Sequence, residues 1–487
     1  MKELILSAFS MASAALFAAP TVESVIIRQQ WPWSSDIKVE YRLSGLDGAV
    51  DLKVEASRNG TAIDDALLQS ALSGERYLIR ENIGSFIIDP VKLFGTANVR
   101  IEDFNVKLTA SPSSADSQEV LYKIFDLTTG GCEDVTRGAL LNGDYGAVET
   151  DFAKLGEAFG VKGFNTSLPA KDIVIWTGVT NDAVYKTSKL VMRKVPAKGK
   201  SFWMGSGEGE LWPTDAATKP YRQVSFTNDY FVAVFELTDG QFQCIITNTP
   251  TSTLTIASSD KMRFLNADWR YVRPVNVPDY VLRSSMAAWP EPSAAGVFAD
   301  NRSSLVGNLR LLTGNHKFDL PTEAVWEYAC RAGTETTFNC GLDTNDESVQ
   351  SKLARSSLNS NMNSSNYQDG TALATWTPAD GGTAVVGSYP PNAWGLYDMH
   401  GNLLESCLDH FIADPTTLPY YSSVDPWGPL KEDATSPSTA PASNIHVGRG
   451  GAYWYNAAYF RSAYRYQLNT NIGNCPYMGV RLCLRAD

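Results

Sequence analysis

The stretch Val385–Asp409 reads VVGSYPPNAWGLYDMHGNLLESCLD and decides how the second half of this 487-residue chain folds. Its adjacent prolines, Pro390 and Pro391, fix backbone φ angles and prevent a helix. Gly395 and Gly401 allow backbone angles that side chains disfavour. The side chains of Tyr389, Trp394 and Tyr397 supply apolar anchors. The stretch therefore predicts a shaped loop that needs a surrounding domain to hold it.

Further short motifs lie on both sides of this loop. They are MGS at Met204–Ser206, FELTDGQF at Phe235–Phe242, DLPTEAVWEYACRAG at Asp319–Gly333, GRGGAYW at Gly448–Trp454, RSAYR at Arg461–Arg465 and GVRL at Gly479–Leu482. Together with GLYDMHGN they resemble, in the same order, the motifs of the formylglycine-generating enzyme family, also called the sulfatase-modifying factor family. Several motifs in order are far more specific than any one of them. The resemblance implies an α+β, C-type-lectin-like fold with little regular structure for residues 185–487.

The start of the chain has the pattern of a secretory signal peptide over residues 1–19. Lys2 precedes a mostly apolar run that ends in the small residues Ala18 and Ala19. We therefore expect the mature protein to be secreted, periplasmic or displayed at the cell surface. No later stretch has the roughly 18 consecutive apolar residues of a membrane-spanning helix, so we expect no transmembrane span.

Residues 20–112 predict a small immunoglobulin-like β-sandwich. Several short runs alternate apolar and polar residues and are separated by turn residues, which is typical of antiparallel strands. The polar stretch Ser111–Ser117 suits a linker. Residues 113–184 are interpreted as that linker and a lead-in to the larger domain. Within this lead-in we expect strands at 119–127 and 172–178 and a short helix at 151–160.

Three helices are predicted inside the larger domain. Thr238 can cap a helix that begins there, with Asp239 in its first turn. Ser303–Gly314 has apolar residues at helical spacing and a glycine where the helix should end. Thr322–Arg331 follows a proline and places Trp326 and its apolar neighbours on one face.

Charge and cysteine content limit the classes of partner. The net charge of −12 repels phosphate backbones, and the sequence has no basic stripe, so we expect no nucleic-acid partner. The seven cysteines include no CxxC pair, which gives little support for a zinc or redox motif. We interpret them as buried thiols together with one or two structural disulfides.

The resemblance implies a copper-dependent oxidase that uses two cysteines between the GRGG and RSAYR segments. Thiolates are the natural ligands of Cu(I), because both partners are soft. This chain has no cysteine between Gly451 and Arg465, and Tyr455 and Phe460 stand near the expected places. We therefore expect a domain that does not bind copper and is not an oxidase. A sulfatase-activating oxidase with relocated ligands is the enzymatic alternative.

The resemblance also implies a calcium site in the loop. By position, its ligands would be the side chains of Asp398 and Glu405 and the backbone carbonyls of Gly401 and Leu403. Oxygen ligands with two carboxylates suit a hard cation such as Ca²⁺. In the alternative interpretation, Asp398 only caps the turn and Glu405 is a solvated carboxylate.

The segment after GRGG is rich in aromatic and amide side chains and is a candidate ligand-binding surface. Its candidate contact residues are Tyr453, Trp454, Tyr455, Asn456, Tyr459, Tyr464 and Tyr466. Tyrosine and tryptophan give large contact areas at low entropic cost, as in antibody paratopes. We expect a protein or glycan ligand. The alternatives are that these rings pack the core, that the protein is a structural surface component, or that it is a lectin-like display protein diversified by a retroelement.

Overall fold

The computed structural model describes most of the chain after the predicted signal peptide, which lies outside the described residues except for Ala19. The described ranges are 19–29, 35–95, 104–212, 215–218, 220–250, 252–254, 271–277, 281–282, 302–360, 382–419, 421–426, 445–469 and 477–486. The chain divides into two compact units. The first comprises Met1–Glu119 with Thr136–Asp144, and the second comprises Val120–Val135 with Tyr145–Asp487. The stretch 113–184, interpreted above as linker and lead-in, contributes to both.

The first unit is a β-sandwich of two antiparallel sheets. Its strands are β1 Thr21–Gln29, β2 Ile37–Ser44, β3 Val50–Arg58, β4 Thr61–Ala62, β5 Leu72–Gly74, β6 Ile83–Ile88 and β7 Phe104–Pro112. One sheet has the order β1-β2-β6-β5 and the other the order β4-β3-β7. Alternate side chains of β2, β3, β6 and β7 are buried together between the sheets, as the period of two requires. Short helices lie at the connections: α1 Asp65–Ala71, α2 Pro90–Phe94, α3 Ala115–Gln118 and α4 Arg137–Asn142.

The second unit mixes short strands and helices. Its described strands are β8 Val120–Asp126, β9 Cys132–Thr136, β10 Val148–Glu149, β11 Ile175–Trp176, β12 Lys189–Val195, β13 Ser201–Met204, β14 Arg222–Ser225, β15 Tyr230–Ala233, β16 Phe318–Asp319, β17 Leu404–His410, β18 Ile445–Arg449, β19 Tyr466–Asn469, β20 Met478–Gly479 and β21 Cys483–Arg485. Its described helices are α5 Phe152–Ala158, α6 Val184–Thr187, α7 Asp239–Asn248, α8 Leu305–Thr313, α9 Glu323–Arg331 and α10 Glu347–Leu353.

The second unit has two main sheets and two small ones, β10-β11 and β13-β14. The larger has the order β16-β21-β15-β12-β8-β9, so β21 lies in its interior between β16 and β15. The smaller has the order β19-β18-β17-β20, in which β17 and β20 run parallel and the other pairs are antiparallel. The predicted strand at 119–127 is confirmed as β8, whereas that at 172–178 shortens to the two residues of β11.

The helices predicted within the second unit are confirmed, with the end signals that the sequence indicated. Thr238 accepts a hydrogen bond from the Gln241 backbone amide, and the Gln241 side chain accepts one from the Thr238 amide, which completes a capping box at α7. Ser304 caps α8, which ends at Gly314 in the left-handed region. Thr322 caps α9. The short helix expected at 151–160 is confirmed as α5.

The predicted shaped loop is confirmed around Asn392. The Asn392 side chain donates to the carbonyls of Ala329 (2.7 Å) and Cys330 (3.0 Å), which belong to the last turn of α9. Its oxygen accepts from the backbone amides of Trp394 and Leu396, both at 3.1 Å. One side chain therefore satisfies carbonyls that the helix end leaves without partners and folds the loop beneath it.

The described cysteines are free thiols, and most of them are buried. The prediction of one or two disulfides is therefore wrong for these six residues, and Cys475 lies outside the described ranges. Burial raises the pKa of the Cys330 and Cys340 thiols to about 12. Within the described ranges, no helix combines the length and apolar character needed to cross a bilayer.

Candidate functional site

The turn at 398–405 is a tightly constrained segment of the loop. Asp398 and Asn402 both have positive φ angles, 55° and 58°. A Cβ atom added at Gly401 would lie 2.1 Å from the carbonyl oxygen of Arg355, so only glycine fits there. The Asn402 side chain donates to the Glu236 carboxylate at 2.6 Å and accepts from the Ala384 amide at 2.8 Å. The Asn402 side chain therefore ties the turn to two other segments of the chain.

Glu405 is buried and is held by two donors from distant parts of the chain. Both of its oxygens accept from the Arg481 guanidinium, at distances between 2.6 and 3.0 Å. The Trp326 indole also donates to it at 2.5 Å. Arg481 extends further to the backbone carbonyls of Ala233, Val234 and Tyr397, at 2.8 to 3.1 Å. Glu405 is thus the charge partner of an arginine that joins β15, the turn and β17.

The surroundings of Asp398 suit the predicted role as a calcium ligand, whereas those of Glu405 do not. Asp398 Oδ2 accepts from the Gly387 amide at 2.6 Å, while its buried Oδ1 has no hydrogen-bond partner among the described residues. Burial raises the pKa of Asp398 to about 6. A cation at the turn would have to compete with Arg481 for Glu405. The alternative of a solvated Glu405 carboxylate does not match its complete burial. Calcium binding through Asp398, Glu405 and the carbonyls of Gly401 and Leu403 remains a prediction.

Calcium at about 100 times its Kd is predicted to raise the free energy of unfolding of the wild type by about 2.7 kcal/mol, because it binds only the folded state. Asp398→Asn should lose this gain, since Asp398 carries the oxygen that lacks a partner. Melting curves with calcium and with EDTA measure the effect. Glu347→Gln removes an exposed carboxylate and serves as the matched control. Equal responses from wild type and Asp398→Asn would contradict the site.

A second buried network connects α9 to the motifs near the end of the unit. Arg449 donates to both Glu323 and Glu327 at 2.8 Å, and Arg465 donates to Glu323. Arg331 pairs with Glu327 at 2.9 Å. Burial acts to raise the pKa of Glu323, but the two arginines outweigh it and lower that pKa to about 2. The DLPTEAVWEYACRAG, GRGGAYW and RSAYR motifs therefore meet as one set of ion pairs, which indicates a structural role for these residues.

The segment expected to carry copper-binding thiols is filled by aromatic rings. Phe460 is fully buried and packs against Phe338, with ring centroids 5.7 Å apart. His400 lies against the same two rings and is packed rather than exposed. Burial lowers the pKa of His400 to about 4, and its Nε2 accepts from the Asn339 amide. Among the residues that the structure describes, no three or more His, Cys, Asp or Glu side chains are grouped to hold a metal ion.

Five of the predicted ligand-binding residues form a connected group of rings together with Tyr477, here called the aromatic cluster. Its members are Trp454, Tyr455, Tyr459, Tyr464, Tyr466 and Tyr477. Tyr455 is central and stacks on Trp454 at 4.8 Å and on Tyr459 at 5.0 Å, with interplanar angles of 27° and 25°. The cluster rests on buried side chains of β17, β19 and β20. Tyr459 is 37% exposed.

Two of the predicted contact residues differ from this arrangement. Tyr453 is only 2% exposed and packs on Leu403, so the prediction that it contacts a ligand is corrected. Its amide donates to the Asn402 carbonyl at 2.8 Å. Asn456 lies outside the ring contacts but is exposed beside them, and its side chain accepts from the Ala458 amide. The other predicted residues are brought together.

Sequence reasoning missed the residues that support the turn and the cluster from a distance. Glu236, Trp326 and Arg481 surround the turn, although each lies in a motif quoted above. For Glu236 and Arg481 the available signal was a charged residue between two apolar neighbours, because a buried charge needs a partner.

These features define an α+β domain organised by a shaped loop and two buried sets of charges. The chain belongs to the sulfatase-modifying factor family, since the model of the Sulfatase-modifying factor enzyme 1-like domain matches residues 182–486. The match confirms the resemblance read from the motifs and the predicted fold class.

Curated relatives match a limited part of the chain. The formylglycine-generating enzyme of Bos taurus is 31% identical over 160 residues, which are 32% of this chain and 35% of the bovine protein. That of Thermomonospora curvata is 30% identical over 161 residues, or 32% and 44% of the two chains. The serine/threonine-protein kinase pkn1 of Chlamydia caviae is 26% identical over 299 residues, or 60% and 38%. The matches span less than half of each relative.

Solved structures with a similar arrangement include PvdO from Pseudomonas aeruginosa. It has a TM-score of 0.42 and 21% identity, covering 61% of this chain and 94% of PvdO. Treponema denticola variable protein 1 has a TM-score of 0.37 and 21% identity, covering 61% and 96%.

Proposed function

We propose that the second unit is a binding module without oxidase activity, which contacts a protein or glycan ligand through the aromatic cluster. One observation carries this proposal. Of the two residues near the expected thiol positions, Phe460 fills the core, and Tyr455 is half-buried at the centre of the aromatic cluster, beside the exposed Tyr459. Neither a phenyl ring nor a phenol can replace a thiolate towards Cu(I).

The geometry of the cluster suits recognition. Neighbouring rings lie at about van der Waals contact on a buried base, so their positions are set before a ligand arrives. Trp and Tyr dominate binding hot spots, because each supplies a large contact area with few rotatable bonds. In line with the predicted signal peptide, we place this module outside the cytoplasm, either secreted, periplasmic or at the cell surface.

A formylglycine-generating oxidase is the alternative that the named relatives favour. It would need thiolates, and none of the described cysteines has a pKa lowered towards the thiolate form. Burial raises the pKa of Cys407, Cys330 and Cys340, which stabilises their protonated thiols. Burial therefore keeps the described thiols protonated, which disfavours an oxidase that needs thiolates and favours the binding module.

Two measurements test the proposal. The purified protein should bind no Cu(I) at micromolar concentration and should consume no oxygen with a cysteine-containing sulfatase peptide, because the thiolate pair is missing. The Thermomonospora curvata relative serves as the positive control in the same assay. Copper binding with turnover would overturn the proposal in favour of the oxidase.

The second measurement concerns binding itself. A neutral glycan array and a displayed peptide library are screened with the wild type and with the double variant Tyr455→Ala, Tyr459→Ala. Binders recovered with the wild type should weaken at least about tenfold with the double variant, as for hot-spot residues. Melting curves show that the variant remains folded. Binders with equal affinity for the wild type and the double variant would show that the site lies elsewhere and would refute the proposal.

A further inference from the structure

Two histidines lie against each other across the smaller main sheet of the second unit. His410, the last residue of β17, is the direct cross-strand partner of His446 on β18. Their ring centroids are 4.1 Å apart, with an interplanar angle of 36°. The two residues are only 4% and 0% exposed. Two imidazole rings are therefore in contact away from solvent.

The pair lies at an interrupted end of the two strands. β17 and β18 pair in register at Glu405 and Ser406, and the register then shifts before His410. Such an irregularity interrupts the ladder of backbone hydrogen bonds. Beyond it, the described pairing consists of the two histidines and a bond from the Phe411 amide to the Ile445 carbonyl at 2.9 Å. The contact between the rings is therefore a large part of what joins the strands at this end.

Neutral imidazoles suit this arrangement, whereas imidazolium ions do not. In water a histidine gains a proton near pH 6.5, so mild acid changes its charge. Burial disfavours the charged ring, because the ring loses its hydration. A second charge on a ring in contact with the first would add repulsion. Acid therefore acts against the contact between His410 and His446.

Charged side chains of the same two strands lie on the other face of the sheet. Alternation along β18 places Arg449 on the face opposite to His446. There, Arg449 donates to the Glu323 carboxylate at 2.8 Å, and the Asp409 carboxylate accepts from the Glu323 amide. Arg465 also pairs with Glu323. These charges are used in the ion-pair network of α9.

The described residues of β18, β19 and β20 that share the histidine face carry no formal charge. β19 places Leu468 opposite His446 and Tyr466 opposite Gly448. The phenol of Tyr466 is the titratable group among them. β20 adds Met478, which is buried. These strands therefore supply no carboxylate that would stabilise an imidazolium ion at the pair.

The base of the aromatic cluster lies on the same face. Leu468, the partner of His446 on β19, packs with Leu404 of β17 in the buried group on which the cluster rests. Tyr455 packs against that group. Separation of β17 from β18 at the histidines would therefore disturb the support of the cluster.

We propose that the His410–His446 pair is a pH-sensitive contact, which joins β17 to β18 while both rings are neutral and opens this end of the sheet when they gain protons. Acidification below about pH 6 then loosens the base of the aromatic cluster. This role goes beyond ligand binding, because it concerns how the cluster is held and requires no particular ligand.

The size of the effect follows from proton uptake on opening. An imidazole that is neutral in the closed sheet and gains its proton near pH 6.5 in the open one favours opening about thirtyfold more at pH 5 than at pH 7.5. Uptake of a proton by both rings would increase that factor further. The closed sheet is therefore favoured at neutral pH and loses this advantage as the pH falls.

Hydrogen–deuterium exchange of the full protein measures this opening. Protection factors for the amides of β17 and β18, corrected for the intrinsic exchange rate, are compared at about pH 7.5 and about pH 5. We expect them to fall about thirtyfold in the wild type. The double variant His410→Phe, His446→Phe keeps two rings in contact but cannot take up protons there, so its protection should change less than about threefold.

Two comparisons make the result specific to the pair. His316→Phe removes an exposed histidine and should respond to acid as the wild type does. Asp409 gains a proton over the same pH range, which stabilises the folded state, but it is present in all three proteins. An equal fall in the wild type and the double variant would overturn the proposal, and so would constant protection in the wild type.

Nuclear magnetic resonance of the histidine rings tests the wild type directly, even where the double variant does not fold. The chain has four histidines, of which His400, His410 and His446 are buried. We expect these three rings to keep the signals of neutral imidazole at about pH 5.5 in the folded protein. Imidazolium signals from His410 or His446 in the folded protein would show that the closed sheet accepts the charge, and would overturn the proposal.

Discussion

Arg481→Met is expected to lower the free energy of unfolding of the second unit by about 3 to 5 kcal/mol. The substitution leaves the Glu405 carboxylate fully buried without its guanidinium partner. It also removes the donor from three backbone carbonyls that Arg481 satisfies. Urea denaturation measured by tryptophan fluorescence reports the change. Loss of a buried partner is costly, because the remaining charge keeps its desolvation penalty.

Two comparisons make this result specific. Lys194→Met removes a partly exposed pair with Asp229 in the same unit and should cost no more than about 1 kcal/mol. The double variant Arg481→Met, Glu405→Met removes both charges and should recover part of the loss, since no buried charge then remains. A single variant as stable as Lys194→Met would show that the pair does not hold the turn.

Asp409→Asn is expected to flatten the dependence of stability on pH between about 4 and 7. Asp409 is buried and accepts from the Glu323 amide at 2.7 Å. Burial and then the nearby Glu323 charge raise the pKa of Asp409 from 3.8 to about 7. The folded state therefore holds a proton that the unfolded state releases. Stability from this group is complete below about pH 4 and is lost as the pH rises to about 7.

The size of this effect follows from the same pKa change. A rise from 3.8 to about 7 corresponds to roughly 4 kcal/mol of unfolding free energy at pH 8. Asparagine resembles the protonated acid and can still accept from the Glu323 amide, so the variant should match the wild type at pH 4 and exceed it at pH 8. Denaturation at several pH values measures the difference, with Glu347→Gln as control. Parallel curves for wild type and Asp409→Asn would refute the assignment.

Local chemistry made much of the fold predictable. The capping threonines of α7 and α9 and the glycine after α8 act within a few residues. A short stretch of sequence is therefore enough to predict where these helices begin or end. The prolines and glycines around Asn392 act over a similar range. The alternation in β2 and β3 also follows from side-chain direction alone.

The site was less predictable, because its decisive contacts are remote in the sequence. From the sequence, Glu405 is interpreted as a calcium ligand or a solvated acid. The structure shows that it pairs with Arg481, which lies 76 residues later. Tyr453 reads as a surface ring until its packing on Leu403 is known. Trp212 gives no sign that its ring and its carbonyl meet the guanidinium of Arg461, 249 residues later. The partner of a side chain depends on the topology of the fold, and a short stretch of sequence does not reveal that topology.

The interior position of β21 has a consequence for how the protein is made. Cys483–Arg485 pairs with β15 on one side and β16 on the other, and β15 in turn pairs with β12. The ribosome must therefore release the chain as far as Arg485 before the larger sheet can close, because its middle would otherwise have a gap. Until then, β15 and β16 expose unpaired edges to other nascent chains. Closure of the larger sheet is therefore a late step in the folding of the second unit, because it waits for a strand that is made after almost all of the others.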